Sequence, residues 1–255
     1  MRITIIGSGN VATHLAVSLH KECVEIVQIY SRNMQNAIEL ANKVGAEPVD
    51  NLNKLSGKAN VCIFAVTDDI IKELLSKNAN VFSSDTLLLH TAGSVSIDVF
   101  DNYAAQFGAF YPLQTFSKKR ELDFSEIPVF IEGNTQDAEN RICHLAQKIT
   151  KKIYAVNFEQ RKQLHLAGVF ACNFTNFMYY IANELIKEKS LNFKMLVPLI
   201  FETAHKTETL PPAEAQTGPA IRNDSATITQ HIKLLENHKD WQQLYKFISE
   251  EIKKL

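Results

Sequence analysis

The chain has 255 residues, with 27 Lys and Arg against 28 Asp and Glu, a formal net charge of -1. Hydrophobic residues make up 45% and charged residues 22%, as in ordinary globular proteins. That balance excludes a disordered chain, which needs fewer apolar residues and more net charge. It also excludes a dedicated nucleic-acid binder, which carries a basic excess.

Residues 2–6 (RITII) form a β-branched run that predicts a buried strand. The run enters Gly7-Ser8-Gly9-Asn10-Val11-Ala12, and a helical pattern follows to about Lys21, with Val11, Leu15 and Leu19 four apart. A second strand is expected at 24–30, then a helix over 34–44 that Gly45 is placed to end. Strands at 60–66 and 86–90 come next, with Asp68 able to cap the helix between them. Strand and helix thus alternate, which favours a mostly parallel sheet with helices on both faces, an α/β doubly wound Rossmann fold. Further strands are expected at 107–111, 127–132 and 152–156, with a helix from about Thr135 to Thr150.

From Phe158 onward the pattern is helical only. Residues 158–188 fit one long helix of roughly 45 Å, whose middle, Gln163 to Asn183, holds no Asp, Glu, Lys or Arg. His165, Asn173, Thr175 and Asn176 interrupt it, so it reads as a central helix buried nearly all round rather than a membrane span. A helix over 192–206, a Pro-containing loop at 207–224 and helices over 225–236 and 238–253 follow. The expected division is a nucleotide-binding domain at 1–157 and an all-helical domain at 158–255.

Cys23, Cys62, Cys143 and Cys172 form no CxxC pair. Reduced, mostly buried thiols in a cytoplasmic protein are expected, with no metal and no membrane partner. The first ten residues hold too few apolar positions for a signal-peptide core of about 7–15 residues.

The glycine-rich turn carries the first chemistry. It follows a strand and opens a helix inside a βαβ unit, the context in which GxGxx(G/A) binds a dinucleotide. Gly7 permits the turn. Gly9 lets backbone approach a pyrophosphate, and Ser8, Asn10 and Val11 bring the helix N–H groups to the anion. The alternative is an ordinary strand-to-helix turn. The second strand ends Tyr30-Ser31-Arg32-Asn33, with no carboxylate for ribose hydroxyls. Ser31 and Arg32 suit a 2′-phosphate, hence NADP, unless Arg32 is merely a solvated loop residue. Other cofactor contacts are expected beyond the carboxyl ends of later strands, at Ala65, Val66, Thr67, His90, Ala92 and Gly93. Thr67 and Asp68 are equally readable as a helix cap, and His90 as a satisfied structural group.

On the long helix Leu164, Ala167, Ala171, Phe174, Met178, Ile181 and Leu185 form an apolar stripe. His165, Cys172, Asn173, Asn176 and Tyr180 form an uncharged polar track. That track lines a cleft or an oligomer interface, with His165 and Asn173 as catalytic candidates, or its members satisfy one another. Arg222 is a candidate clamp for a substrate carboxylate or a partner of Asp224, which can cap the helix from Ser225. Gln114 and Asn176 complete the expected substrate contacts.

The whole layout resembles the 6-phosphogluconate dehydrogenase-like superfamily, which includes ketopantoate reductase and pyrroline-5-carboxylate reductase. It most resembles bacterial NADP oxidoreductases whose helical C-terminal domain has no known function. The shared marks are His90-x-Ala-Gly-Ser94, Tyr111-Pro-Leu-Gln-Thr-Phe116, His165-x7-Asn173 and Thr217-Gly-Pro-x-x-Arg222-x-Asp224. The resemblance implies hydride transfer between NADPH and a small keto or imino acid, ketopantoate first among them, and a homodimer through the helical domain. Ketopantoate reductases use a lysine on the long helix with asparagines one and two turns later; the matching region here has His165, Val169 and Asn173, without the lysine. The family often has histidine where this chain has Tyr111. A non-catalytic NADP-binding sensor or dimeric scaffold is the alternative.

Overall fold

The apolar runs become one sheet. In the computed structural model, which describes residues 1–78 and 81–255, the strands are β1 (Arg2–Ile6), β2 (Glu25–Tyr30), β3 (Glu47–Val49), β4 (Val61–Phe64), β5 (Leu87–His90), β6 (Phe107–Pro112), β7 (Val129–Gly133) and β8 (Ile153–Ala155). Their order is β3-β2-β1-β4-β5-β6-β7-β8. All neighbours are parallel except β6 and β7. The expected doubly wound, mostly parallel sheet is therefore present. Only β3 is absent from the sequence expectations. It is three residues long and contains Pro48, which suits an edge strand but not a sequence-legible one.

Period-2 alternation builds two cores. Ile3, Ile5, Val61, Ile63, Leu87 and Leu89 point to one face, and Ile6, Phe64 and Leu88 to the other. The first face is covered by α1 (Asn10–Lys21), α2 (Met34–Val44) and α4 (Gln136–Ala146) through Leu15, Leu40 and Ile142. The second is covered by α3 (Asp68–Lys77) and the 97–100 turn through Ile71, Leu75 and Phe100. Truncating a fully buried residue such as Ile63 to alanine costs roughly 2–5 kcal/mol.

Two compact units are formed, Met1–Cys172 and Asn173–Leu255. The division falls inside the long helical run rather than at 157/158, because α5 (Phe158–Gly168) stays with the first unit. Arg161 ties it there. Its guanidinium is fully buried, paired with Glu132 on β7, and donates to the carbonyl of Val95. Asn157 starts α5 with a reciprocal capping box to Gln160.

The long helix is not uniform. Residues Val169–Phe174 are π-helical before α6 (Thr175–Lys187) begins. The expected burial all round is also absent: between 162 and 187 no residue is buried. The second unit continues with α7 (Val197–Lys206), α8 (Pro212–Ala215), α9 (Ser225–Leu234) and α10 (Lys239–Ile252). Its buried residues are few: Ala220, Ile228, Leu235 and Ser249. The four cysteines are free, but only Cys62 is buried and Cys143 half-buried, while Cys23 and Cys172 are exposed. No helix among the described residues is long and apolar enough to cross a membrane.

Candidate active site

Parallel ladders bring the carboxyl ends of the central strands together. Gly7 N–H donates to the Tyr30 carbonyl at 2.8 Å, Ala65 N–H to Ile6 at 2.8 Å, and Thr91 N–H to Phe64 at 3.1 Å. The order of connection reverses between β1 and β4, the place where open α/β sheets bind ligands. There the first unit opens a cleft of about 580 Å³.

Gly7 is fixed by its own backbone. Its φ is +127°, and a Cβ would lie 2.2 Å from the Ala65 carbonyl oxygen. Gly9 differs: no protein atom lies within 4 Å of a Cβ built on it. The space beside it is cleft, not packing, and an anion's oxygens can reach the backbone there. Gly9 is the N-cap of α1 but supplies no side-chain cap, and the first turn holds no acidic residue. The first N–H groups of that helix are thus left for an anion. Ser8, Asn10 and Val11 line the same end.

At the end of β2, Ser8 Oγ donates to Ser31 Oγ at 2.9 Å, both largely buried. Arg32 lines the cleft, is exposed, and makes no hydrogen bond or ion pair within the described residues. A free guanidinium beside a hydroxyl suits a 2′-phosphate. A dinucleotide with that phosphate therefore fits the residues present.

Ala65, Val66 and Thr67 line the middle of the cleft, and Ala92 and Gly93 its far end. Asp68 is not a cap. Thr67 is the N-cap of α3, without a side-chain bond, and the Asp68 carboxylate accepts from Ser94 Oγ. His90 is not a lining residue either. It is fully buried beneath the cleft, accepts from Ala92 N–H through Nδ1 at 3.2 Å, and stacks on Phe100 with centroids 5.7 Å apart. Burial, with Arg161 nearby, pushes its pKa down to about 3. The ring is therefore neutral and structural, because no solvent reaches it to stabilise a charge.

His165 reaches the cleft from α5. Its ring lies on Gly93, where a Cβ would come within 2.7 Å of His165 Cβ, Cγ and Nδ1. Only glycine lets the helix seat there. His165 Nδ1 and Tyr111 Oη are 2.9 Å apart. Burial, first of all, pushes the Tyr111 phenol up to about 12, with Asp68 adding and Arg161 opposing. Gln114 also lines the cleft, its Oε1 accepting from Thr115 N–H at 2.8 Å.

Asn173, Asn176 and Arg222 belong to the second unit and are exposed there. Arg222 forms no ion pair with Asp224, whose carboxylate instead caps α9 through Thr227 N–H and Oγ1. Those bonds, chiefly, hold the Asp224 carboxyl below its ordinary value. Tyr111 lies with the segment 111–115 at the carboxyl ends of the strands, where the sequence places the ligand, though no role for it was legible there. Arg161 and Glu132 are the residues that sequence reasoning missed beside the site; the one signal was that Arg161 is a charge at the foot of the uncharged helix.

Residues 2–92 match the family described as NADP oxidoreductase, coenzyme F420-dependent. Residues 127–252 match a domain of unknown function, DUF2520. A Bacteroides fragilis protein described as an NADP oxidoreductase is 42% identical, with a TM-score of 0.96 over 100% of this chain and 98% of that one. The chain belongs to this NADP oxidoreductase family. A pyrroline-5-carboxylate reductase from Coxiella burnetii shares the oxidoreductase's fold, with a TM-score of 0.62 at 13% identity over 98% of this chain and 97% of that one. A curated relative, the glutamyl-tRNA reductase of Sulfurisphaera tokodaii, is 25% identical over 217 residues, 82% of this chain. The oxidoreductase spans about half of that relative's length, 49%. NADP is the cofactor of this oxidoreductase, and the cleft between Gly7, Arg32 and Gly93 has the features that such a nucleotide requires.

Proposed function

We propose that this oxidoreductase reduces the C=O or C=N carbon of a small keto or imino acid, with ketopantoate the leading substrate. The observation that supports this reading is an imidazole, His165, standing exposed in the dinucleotide cleft beside the small residues Ala92 and Gly93. NADPH, bound there, supplies the hydride. The atom that gains negative charge as the hydride arrives takes a proton from His165. Gln114 orients the substrate, and Asn173, Asn176 and Arg222 of the helical unit are the further candidate substrate contacts. The helical unit pairs two chains, and the free thiols suit a reducing cytoplasm.

The test is steady-state NADPH oxidation with ketopantoate and a panel of 2-keto and imino acids. Turnover on one member, lost in His165→Ala and Asn173→Ala, is expected. Wild-type turnover in both variants removes the residue assignment. NADPH binding without turnover on any member fits a sensor or scaffold instead.

A further inference from the structure

Tyr111 lies at the end of β6 and His165 on α5, and their side chains meet at 2.9 Å. We infer that Tyr111 is the positioning residue of proton delivery, holding His165 Nδ1 so that Nε2 carries the proton for substrate. This rests on the reading of His165 given above.

Three observations carry it. The Tyr111 hydroxyl is largely buried and has one hydrogen-bond partner among the described residues, His165 Nδ1. A buried hydroxyl needs an acceptor for its single proton. Because burial keeps that phenol protonated far above neutral pH, Oη–H donates and Nδ1 accepts. The proton of the neutral imidazole then sits on Nε2. Second, the ring cannot turn over easily, because its Cβ, Cγ and Nδ1 edge lies on Gly93. Third, Nε2 has no partner among the described residues, so it is the nitrogen left for the cleft.

Hydride adds to the substrate carbon and the π pair moves to oxygen or nitrogen. That atom takes the Nε2 proton while the Tyr111 proton passes to Nδ1. The histidine stays neutral; the pair is reset when the cleft-facing Nε2 takes a proton from water and the Nδ1 proton returns to the tyrosinate. Without the phenol, a neutral His165 would have to become an imidazolate, so only its cationic form could donate. The charged groups facing the pair are Asp68 at the start of α3, which raises the phenol, and Arg161 one turn before His165, which lowers it. Arg161 is itself paired with Glu132 on β7.

The experiment uses the full chain labelled with ¹⁵N-histidine. Long-range ¹H–¹⁵N spectra read the tautomer of His165 at alkaline pH, with His165→Ala giving the assignment. Tyr111→Phe removes one oxygen, and an unchanged NADPH affinity checks that the cleft is intact. Expected is an Nε2–H tautomer in the wild type that becomes mixed in Tyr111→Phe. The variant is also expected to lose turnover on the order of 10²-fold on the panel member reduced, with its alkaline limb moved to lower pH. If Tyr111→Phe keeps the wild-type tautomer and pH profile while His165→Ala is inactive, the inference falls and the functional reading stands. If His165→Ala keeps full turnover, the functional reading falls, and proton delivery through this pair falls with it, whatever the tautomer.

Discussion

Burial decides what His90 does, and the same histidine on the surface would behave otherwise. Its pKa lies near 3 in the fold against about 6.5 in an unfolded chain. Between those values the unfolded state binds the extra proton, so stability rises with pH and is lost as pH falls below about 6.5. The slope from this one group approaches ~1.4 kcal/mol per pH unit. Urea unfolding at pH 7, 6 and 5 should show it, and His90→Leu should flatten the acid limb by about one proton; an unchanged limb contradicts the assignment. Arg32 presents the opposite case, an exposed cation with no hydrogen bond or ion pair among the described residues. Arg32→Ser should weaken NADPH binding by about 10- to 100-fold, the worth of charge-assisted bonds of roughly 1.5–3 kcal/mol, and leave NADH nearly unchanged in a titration. The phosphate end of the cleft was legible in the sequence because its parts are adjacent, from Gly7 to Val11 and from Ser31 to Arg32. The pairing of Tyr111 with His165 was not legible, because 54 residues separate the partners and only the fold brings them together.

Elements show where pattern stops and tertiary context begins. Strands β1, β2, β4 and β5 were readable because β-branched and aliphatic runs bury both faces of a parallel sheet, and β6, β7 and β8 as short apolar or aromatic runs. The long helix was readable as helical but not in its details. The i→i+5 bonding of the π segment Val169–Phe174 widens the turn, so Asn173 within it and Asn176 beyond it leave the α-helical phase that grouped them with His165. Composition gives no sign of such a segment. Nor does it announce that Arg161, one charge among several near the helix start, becomes fully buried against Glu132. That pair fixes α5 to the sheet and therefore fixes His165. Arg161→Met leaves the Glu132 carboxylate without its partner and should cost roughly 3–5 kcal/mol in chemical denaturation. Adding Glu132→Gln should recover part of the loss, a coupling that a double-mutant cycle measures. Additive effects of the two changes contradict the pinning role.

At the scale of the whole molecule, net charge supplies no long-range attraction for an anionic cofactor, so local devices at Gly9 and Arg32 carry that task. Apolar surface raises the larger question. In the second unit Phe177, Tyr180, Met195, Leu199, Phe201, Leu234 and Phe247 are all exposed, while only four residues are buried. Helix α6 is apolar on more than one side. Met178, Ile181 and Leu185 line a groove of about 320 Å³ with Trp241, Leu244 and Ile248 of α10, and the stacked rings of Phe177 and Tyr180 face outward. A helical unit of this size that buries so few of its own large side chains needs a partner layer. The proposed pairing of two chains would bring a second copy of the same face about a two-fold axis. Light scattering should therefore give twice the chain mass at micromolar concentration. Each large side chain removed from water contributes roughly 1.5–3 kcal/mol, so Leu199→Glu combined with Phe247→Glu should shift the mass to one chain and lower the melting temperature. A wild-type mass of a single chain refutes the pairing. It would then leave the exposed side chains of α6, α7 and α10 to some other partner.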